Sequence, residues 1–209
     1  MIPKTIIQTS RKEKPEEYVV NMIKKLSIEW NYKHYNDAEV IKFFQENPLH
    51  EFPNVIEKFF SFSYGEHRAD LFRYYYLYVK GGVYFDTDAM IEINIDDIVK
   101  DYEFCSVNSN YFPESIFQGF IGCVPNHPIL YQGLKHLYNT PNKELIKTSE
   151  NFHDICRKFY TIVKEYSNQS CVRLYEEIYG DDVTAHIVDT NNSIIVMKHY
   201  HIRKIIPLE

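Results

Sequence analysis

Apolar residues recur along this chain at two spacings, and the change from one to the other outlines its elements. Pro15–Trp30 carries them at helical spacing with acids in the first turn, where the helix dipole favours negative charge. Ala38–Asn47 repeats the pattern, with Asn36 or Asp37 placed to cap it and Pro48 to stop it. Gly65–Gly82 is the strongest helix signal, ending in a double glycine with Gly81 as its left-handed residue. Further helices are predicted around Ile129–Tyr138 and Phe152–Tyr166. Extended runs at Lys4–Ser10, Tyr32–Asn36, Val83–Ile93, Tyr102–Ser109, Gln118–Val124 and Asn192–Ile206 predict strands. Strands alternating with helices imply an α/β fold with a mostly parallel central sheet flanked by helices on both faces. There is no low-complexity tract or internal repeat, so residues 1–209 are expected to form one domain.

Composition narrows the classes. A formal charge of -6 argues against a broad electrostatic grip on nucleic acid, and leaves small anionic ligands held by a few placed groups. Cys105, Cys123, Cys156 and Cys171 are widely spaced, as expected of apolar residues or free thiols rather than a disulfide scaffold or zinc site. "MIPKTIIQTS" is too short an apolar run for a signal peptide, and no stretch reaches transmembrane length; the expectation is a soluble, cytoplasmic chain. The aromatic content, 18 Tyr and 14 Phe against 1 Trp, fits either a Tyr-rich core or stacking platforms for a base or sugar.

In an extended strand over Val83–Ile93, Asp86 and Asp88 would face one side and Val83, Phe85 and Thr87 the other. Two carboxylates at that spacing repel unless water or a cation intervenes, and a hard divalent ion such as Mn²⁺ or Mg²⁺, itself holding substrate phosphates, suits them. An Asp-x-Asp alone is weak: with eleven Asp in the chain, chance supplies about 0.6 of them. The preceding helix adds weight. Asp70, Arg73 and Leu77 share one face beside the apolar stripe of Ala69, Phe72, Tyr76 and Val79. The Asp70–Arg73 pair is either a helix salt bridge or part of a site beside the metal.

"ADLFRYYYLYVKGGVYFDTD" resembles the signature of the D-x-D sugar transferases of glycosyltransferase family 32, and is similar to the core of the clostridial glucosylating toxins. The ordered match runs through Asp70, Arg73, Leu77, Tyr78, Gly81, Gly82, Tyr84, Asp86 and Asp88. "IPKTIIQTS", "EWNYKHYND" and "GFIGCVPNHPIL" resemble further family segments, though Ile7 stands where His is usual and Ser10 where Trp is common. "MKHYHIRKIIPLE" supplies His199 and His201 but lacks the family's closing Ser and Trp.

The resemblance implies a GT-A (Rossmann-like) fold, a UDP- or GDP-sugar donor, a Mn²⁺ or Mg²⁺ cofactor, and retaining transfer of a hexose to a glycan or protein acceptor. It implies that Asp88 ligates the metal, that Asp86 holds ribose or sugar hydroxyls and the ion through water, and that His199 or His201 completes the coordination. Asp70 and Arg73 would bind donor-sugar hydroxyls, with Gln8, Thr9, Tyr84 and Gln118 also on the donor side. No nucleophile is evident; Gln118 and Glu114 are the polar candidates, and front-face transfer needs none. Two alternatives stay open: a non-catalytic sugar-nucleotide or glycan-binding module, and a metal-dependent phosphoryl-transfer enzyme.

Overall fold

The computed structural model describes residues 1–11, 17–142, 145, 153–179 and 184–199. The chain runs β1 (Thr5–Thr9), α1 (Glu17–Lys25), β2 (Asn31–Tyr35), α2 (Asp37–Glu46), α3 (Val55–Ser61), α4 (Gly65–Lys80), β3 (Gly82–Phe85) and β4 (Ala89–Ile91). It continues with α5 (Ile95–Val99), β5 (Phe104–Ser109), β6 (Ser115–Cys123), α6 (Pro128–Asn139), α7 (Asp154–Tyr166), β7 (Val172–Tyr179), β8 (Ala185–Asp189) and β9 (Ile194–His199). The short helices α3 and α5 and the strands β7 and β8 lie where no element is expected from the sequence.

The nine strands among the described residues share one sheet in the order β2-β1-β3-β6-β5-β7-β8-β9-β4. The expectation of a mostly parallel sheet is overturned. Only β1 with β2, β1 with β3, and β5 with β7 pair in parallel; the other pairings are antiparallel. Connection length explains two of the five antiparallel pairings. A parallel return needs a helical crossover, as α1 provides between β1 and β2, whereas residues 110–114 and 190–193 are short links that return their strands as hairpins.

The sheet also curls. Strands β3 and β4 are third and ninth in the order, which on a flat sheet would separate them by about 29 Å at 4.8 Å per step. Phe85 and Ala89 are joined by only four residue steps, which reach at most about 14 Å. The far edge of the sheet must therefore come round to meet its middle.

Alternation along the central strands feeds two cores. Ile7, Tyr84 and Ile121 point to the side covered by α2, α3, α4, α6 and α7, among Phe43, Phe44, Phe59, Phe72, Tyr75 and Phe159. Ile6, Val83, Phe85 and Phe120 point to the other side, among Ile23, Trp30, Met90, Ile95 and Met197. The aromatic abundance is thus largely core. Buried tyrosines direct their hydroxyls to fixed acceptors: Tyr75 to the Asn47 carbonyl at 2.7 Å, Tyr175 to the Ile98 carbonyl at 2.7 Å.

Helix α4 is the spine of the first core, buried on nearly every side from His67 to Leu77 rather than along one stripe. Its end is set by the double glycine. Gly81 has φ 66° and donates to the Leu77 carbonyl at 2.9 Å; Gly82 has φ 108°. A Cβ on Gly81 would stand 2.8 Å from the Cys123 carbonyl, and one on Gly82 2.7 Å from the Thr5 carbonyl. Both glycines are required by conformation and by close packing, which lets α4 drop directly into β3.

Candidate active site

Asp86, Thr87 and Asp88 do not continue a strand. They form the turn between β3 and β4, with the Ala89 amide donating to the Asp86 carbonyl at 3.1 Å, so the expected same-face alternation is replaced by a bend. The bend follows from the topology: β3 pairs with β1 and β6, while β4 pairs with β9 on the opposite edge. Two further bonds anchor the turn. The Asp86 amide donates to the Gly119 carbonyl at 2.9 Å, and Gln8 Nε2 donates to the Asp86 carbonyl at 3.1 Å.

The turn borders a cleft of about 740 Å³, also lined by Thr9, Asp70, Arg73, Tyr84, Gln118, Cys156, Glu177 and His199. On one side lies a buried charge cluster. Arg73 Nη2 is 3.5 Å from Asp70 Oδ1 and 3.4 Å from Asp86 Oδ1; its Nε donates to the Ala69 carbonyl and its Nη1 to the Gln118 carbonyl. Two of the guanidinium N–H groups thus donate to backbone carbonyls, while Nη2 stands at ion-pair distance from both carboxylates. The guanidinium also lies 4.2 Å from the centre of the Tyr84 ring, whose hydroxyl donates to Asp86 Oδ1 at 2.7 Å. Burial disfavours the charged guanidinium, but the neighbouring Tyr84, Asp86 and Asp70 raise its pKa above the usual value. Burial likewise pushes the Tyr84 hydroxyl well up, so it remains a neutral donor. Asp70 is only 6% exposed and also faces His67 Nδ1 at 3.4 Å.

On the other side, His199 Nε2 is 3.6 Å from Asp88 Oδ1 and Nδ1 is 3.6 Å from Glu177 Oε1, ion-pair distances longer than hydrogen bonds. The ring packs on Phe117 with centroids 4.4 Å apart. Burial lowers the imidazole pKa, yet Asp88, Glu177 and Asp86 outweigh it and raise the group to about 9.

The remaining expected residues divide. Thr9 lines the cleft while its hydroxyl donates to the Tyr35 carbonyl at 2.8 Å. Gln8 sits behind the turn, its Oε1 accepting from Tyr32 at 2.7 Å. The Gln118 amide is held between the Tyr74 hydroxyl at 2.8 Å and the Ile116 carbonyl at 3.4 Å. Glu114 is exposed on the β5–β6 hairpin with φ 57° and is not a cleft-lining residue. His201 lies outside the described residues. Sequence reasoning did not reach Glu177, Ser109, His67 or Cys156. Burial pushes the Cys156 thiol up to about 12, with Asp70 adding to the shift, so it stays protonated.

Among the described residues, no three His, Cys, Asp or Glu side chains are arranged to hold a metal unaided. The donors at the turn still fit a hard divalent ion, which takes one or two carboxylates and completes its shell with phosphate oxygens and water. Asp88 is the more open of the pair, its side chain 43% exposed against 30% for Asp86, whose Oδ1 is engaged by Tyr84 and Arg73. Among the described residues no helix is long and apolar enough to cross a membrane.

Residues 4–105 match the family described as glycosyltransferase sugar-binding region containing DXD motif. The chain is 32% identical over 140 residues to mannosyl phosphorylinositol ceramide synthase SUR1 of Saccharomyces cerevisiae, covering 66% of this chain and 35% of that protein. It is 28% identical over 108 residues to inositol phosphoceramide mannosyltransferase 1 of Schizosaccharomyces pombe, covering 52% and 32%. Over 124 residues it is 27% identical to the uncharacterized glycosyltransferase L373 of Acanthamoeba polyphaga mimivirus, covering 56% and 47%. The chain therefore spans about a third of the yeast relatives' length and about half of the viral one. In fold it is similar to the PaToxG glycosyltransferase, with a TM-score of 0.52 and 12% identity over 80% of this chain and 70% of that one.

Proposed function

We propose that this chain, whose residues 4–105 match the glycosyltransferase sugar-binding family that carries the D-x-D motif, is a retaining hexosyltransferase. It takes a UDP- or GDP-sugar as donor, works with Mn²⁺ or Mg²⁺, and delivers the sugar to a glycan or protein acceptor. We take residues 1–209 as its single catalytic domain. The observation that carries the reading is the Asp86–Asp88 turn opening into the cleft, with the buried Asp70–Arg73 pair directly behind it. The names of the yeast relatives make mannose the first hexose to test.

Asp88, the open carboxylate of the turn, would hold the metal. When bound, that ion supplies positive charge to the departing diphosphate. Asp86 is fixed by Tyr84 and Arg73, so its second oxygen is pre-aimed for a ribose or sugar hydroxyl. Asp70, facing the cleft from α4, offers a further acceptor to the sugar. The protein side chains suit front-face retention: the Cys156 thiol is protonated, Gln118 is held by two partners, and Glu114 lies off the cleft.

The test is release of free sugar and diphosphate from UDP-glucose, UDP-galactose, UDP-N-acetylglucosamine and GDP-mannose, with Mn²⁺ or with excess chelator. One donor is expected to be hydrolysed, and only with metal. Tight donor binding without turnover in the presence of any acceptor would replace the enzyme by a binding module. Equal turnover in chelator would remove the metal.

A further inference from the structure

Glu177 lines the cleft, yet the transfer reaction does not use its carboxylate. It comes from β7, beyond the residues that match the family, and it is only 2% exposed. Its position follows from pairing. Register across β7, β8 and β9 sets Glu177 opposite Ile187 and Ile187 opposite Met197, and His199 lies two residues on from Met197. All four side chains therefore share a face with the second core. A carboxylate on such a face is costly unless paired. One oxygen accepts from Ser109 Oγ at 2.6 Å; the other faces His199 at 3.6 Å. Ser109 is placed by the parallel register of β5 on β7, which sets Asn108 beside Glu176 and brings Ser109 and Glu177 next.

The chain of contacts continues to the turn. His199 is the register partner of Ala89, the residue after Asp88, and its ring reaches Asp88 at 3.6 Å. We propose that Glu177, backed by Ser109, is a positioning residue that holds the His199 ring against Asp88 and so fixes the D-x-D turn from the far edge of the sheet. The assignment rests on the transferase reading for its catalytic consequence, while the mechanical part is measurable without any substrate.

Two measurements test it. In the ligand-free protein, hydrogen exchange at the Ala89 amide, which closes the turn, is expected to speed by about tenfold in Glu177→Gln, with α4 unchanged. Unchanged exchange at Ala89, or equal acceleration throughout the chain, would overturn the proposal. In donor hydrolysis, Glu177→Gln is expected to lower kcat by about tenfold with the donor KM within about twofold. The double variant with His199→Asn should be no slower than His199→Asn alone, because the two residues act as a unit. Additive losses would mean that Glu177 acts independently of His199. Should Glu177→Gln fail to fold, Ser109→Ala leaves the carboxylate in place and removes its backing, and the same exchange and kinetic criteria apply to it. A wild-type chain inert toward all donors would sink the transferase reading yet leave the exchange result to judge the positioning role.

Discussion

Arg73 meets Asp86 at 3.4 Å, and through that contact the spine helix α4 holds the first aspartate of the turn. The same guanidinium holds Asp70, the Gln118 carbonyl and its own helix at Ala69, so it works as a strut between helix, hairpin and turn. Lysine keeps the charge but has no fork. Arg73→Lys is therefore expected to cost about 1.5–3 kcal/mol of stability in urea denaturation, the range for losing a charge-assisted hydrogen bond. Affinities for sugar nucleotide and bare diphosphate should fall together as Asp86 loses its orientation. Unchanged stability with a selective loss of the sugar nucleotide would show that Arg73 reads the sugar instead.

Asp88 is the open carboxylate, and its removal should be felt in chemistry while leaving the chain folded, at the cost of its share of the His199 ion pairs. Asp88→Ala is expected to lower donor hydrolysis by on the order of 10² or more, the usual loss when one group serving the transition state is removed. Circular dichroism should remain that of the wild type. A folded variant turning over at the parental rate would leave the carboxylate as a solvated turn residue.

His199 gives stability a pH dependence of known sign. Its pKa in the folded chain, about 9, lies above the ordinary 6.5 because Asp88 and Glu177 overcome the effect of burial. The charged form therefore stabilises the fold fully below about pH 6.5, and that contribution is lost as pH rises through 9. The unfolding free energy from urea denaturation should fall across this window by up to about 3 kcal/mol, and His199→Asn should flatten the profile. A wild-type profile flat from pH 6 to 10 would contradict the ion pairs.

Gly82 combines φ 108° with a Cβ position 2.7 Å from the Thr5 carbonyl. Gly82→Ala forces both a strained backbone and a separation of β1 from β3, for an expected loss of about 2–4 kcal/mol. Thermal unfolding of the variant settles it; a change within about 0.5 kcal/mol would mean that the strands shift apart freely.

The helix and glycines at the centre of the site were legible because their signals are local. Helical spacing across Gly65–Lys80 and a double glycine mark α4 and its end without tertiary information. The turn at Asp86–Asp88 was misread, since the run from Val83 to Ile93 looks like one strand and the polar Asp86-Thr87-Asp88, though a loop signal, contains no Gly or Pro to force a break. What bends them is the pairing of β4 with β9, a partner more than a hundred residues away. Strand β7 went unexpected for a related reason. Val172, Leu174 and Ile178 suggest one buried face, yet the structure buries Tyr175 and Glu177 on the other and exposes Ile178. The choice of face is made by the curl of the sheet, which no window of sequence contains.

The joining of β3 to β4 across the curl has a consequence for how the chain comes into being. Every residue of the recognisable signature, from Asp70 to Asp88, leaves the ribosome roughly ten seconds before β9 does, at about 10 residues per second. During that interval Ala89–Ile91 has no strand to pair with, since its partner Met197–His199 has not been made. The nascent chain thus carries its aspartates before it has a site to put them in, and the turn gains its second anchor only with the arrival of the last described strand.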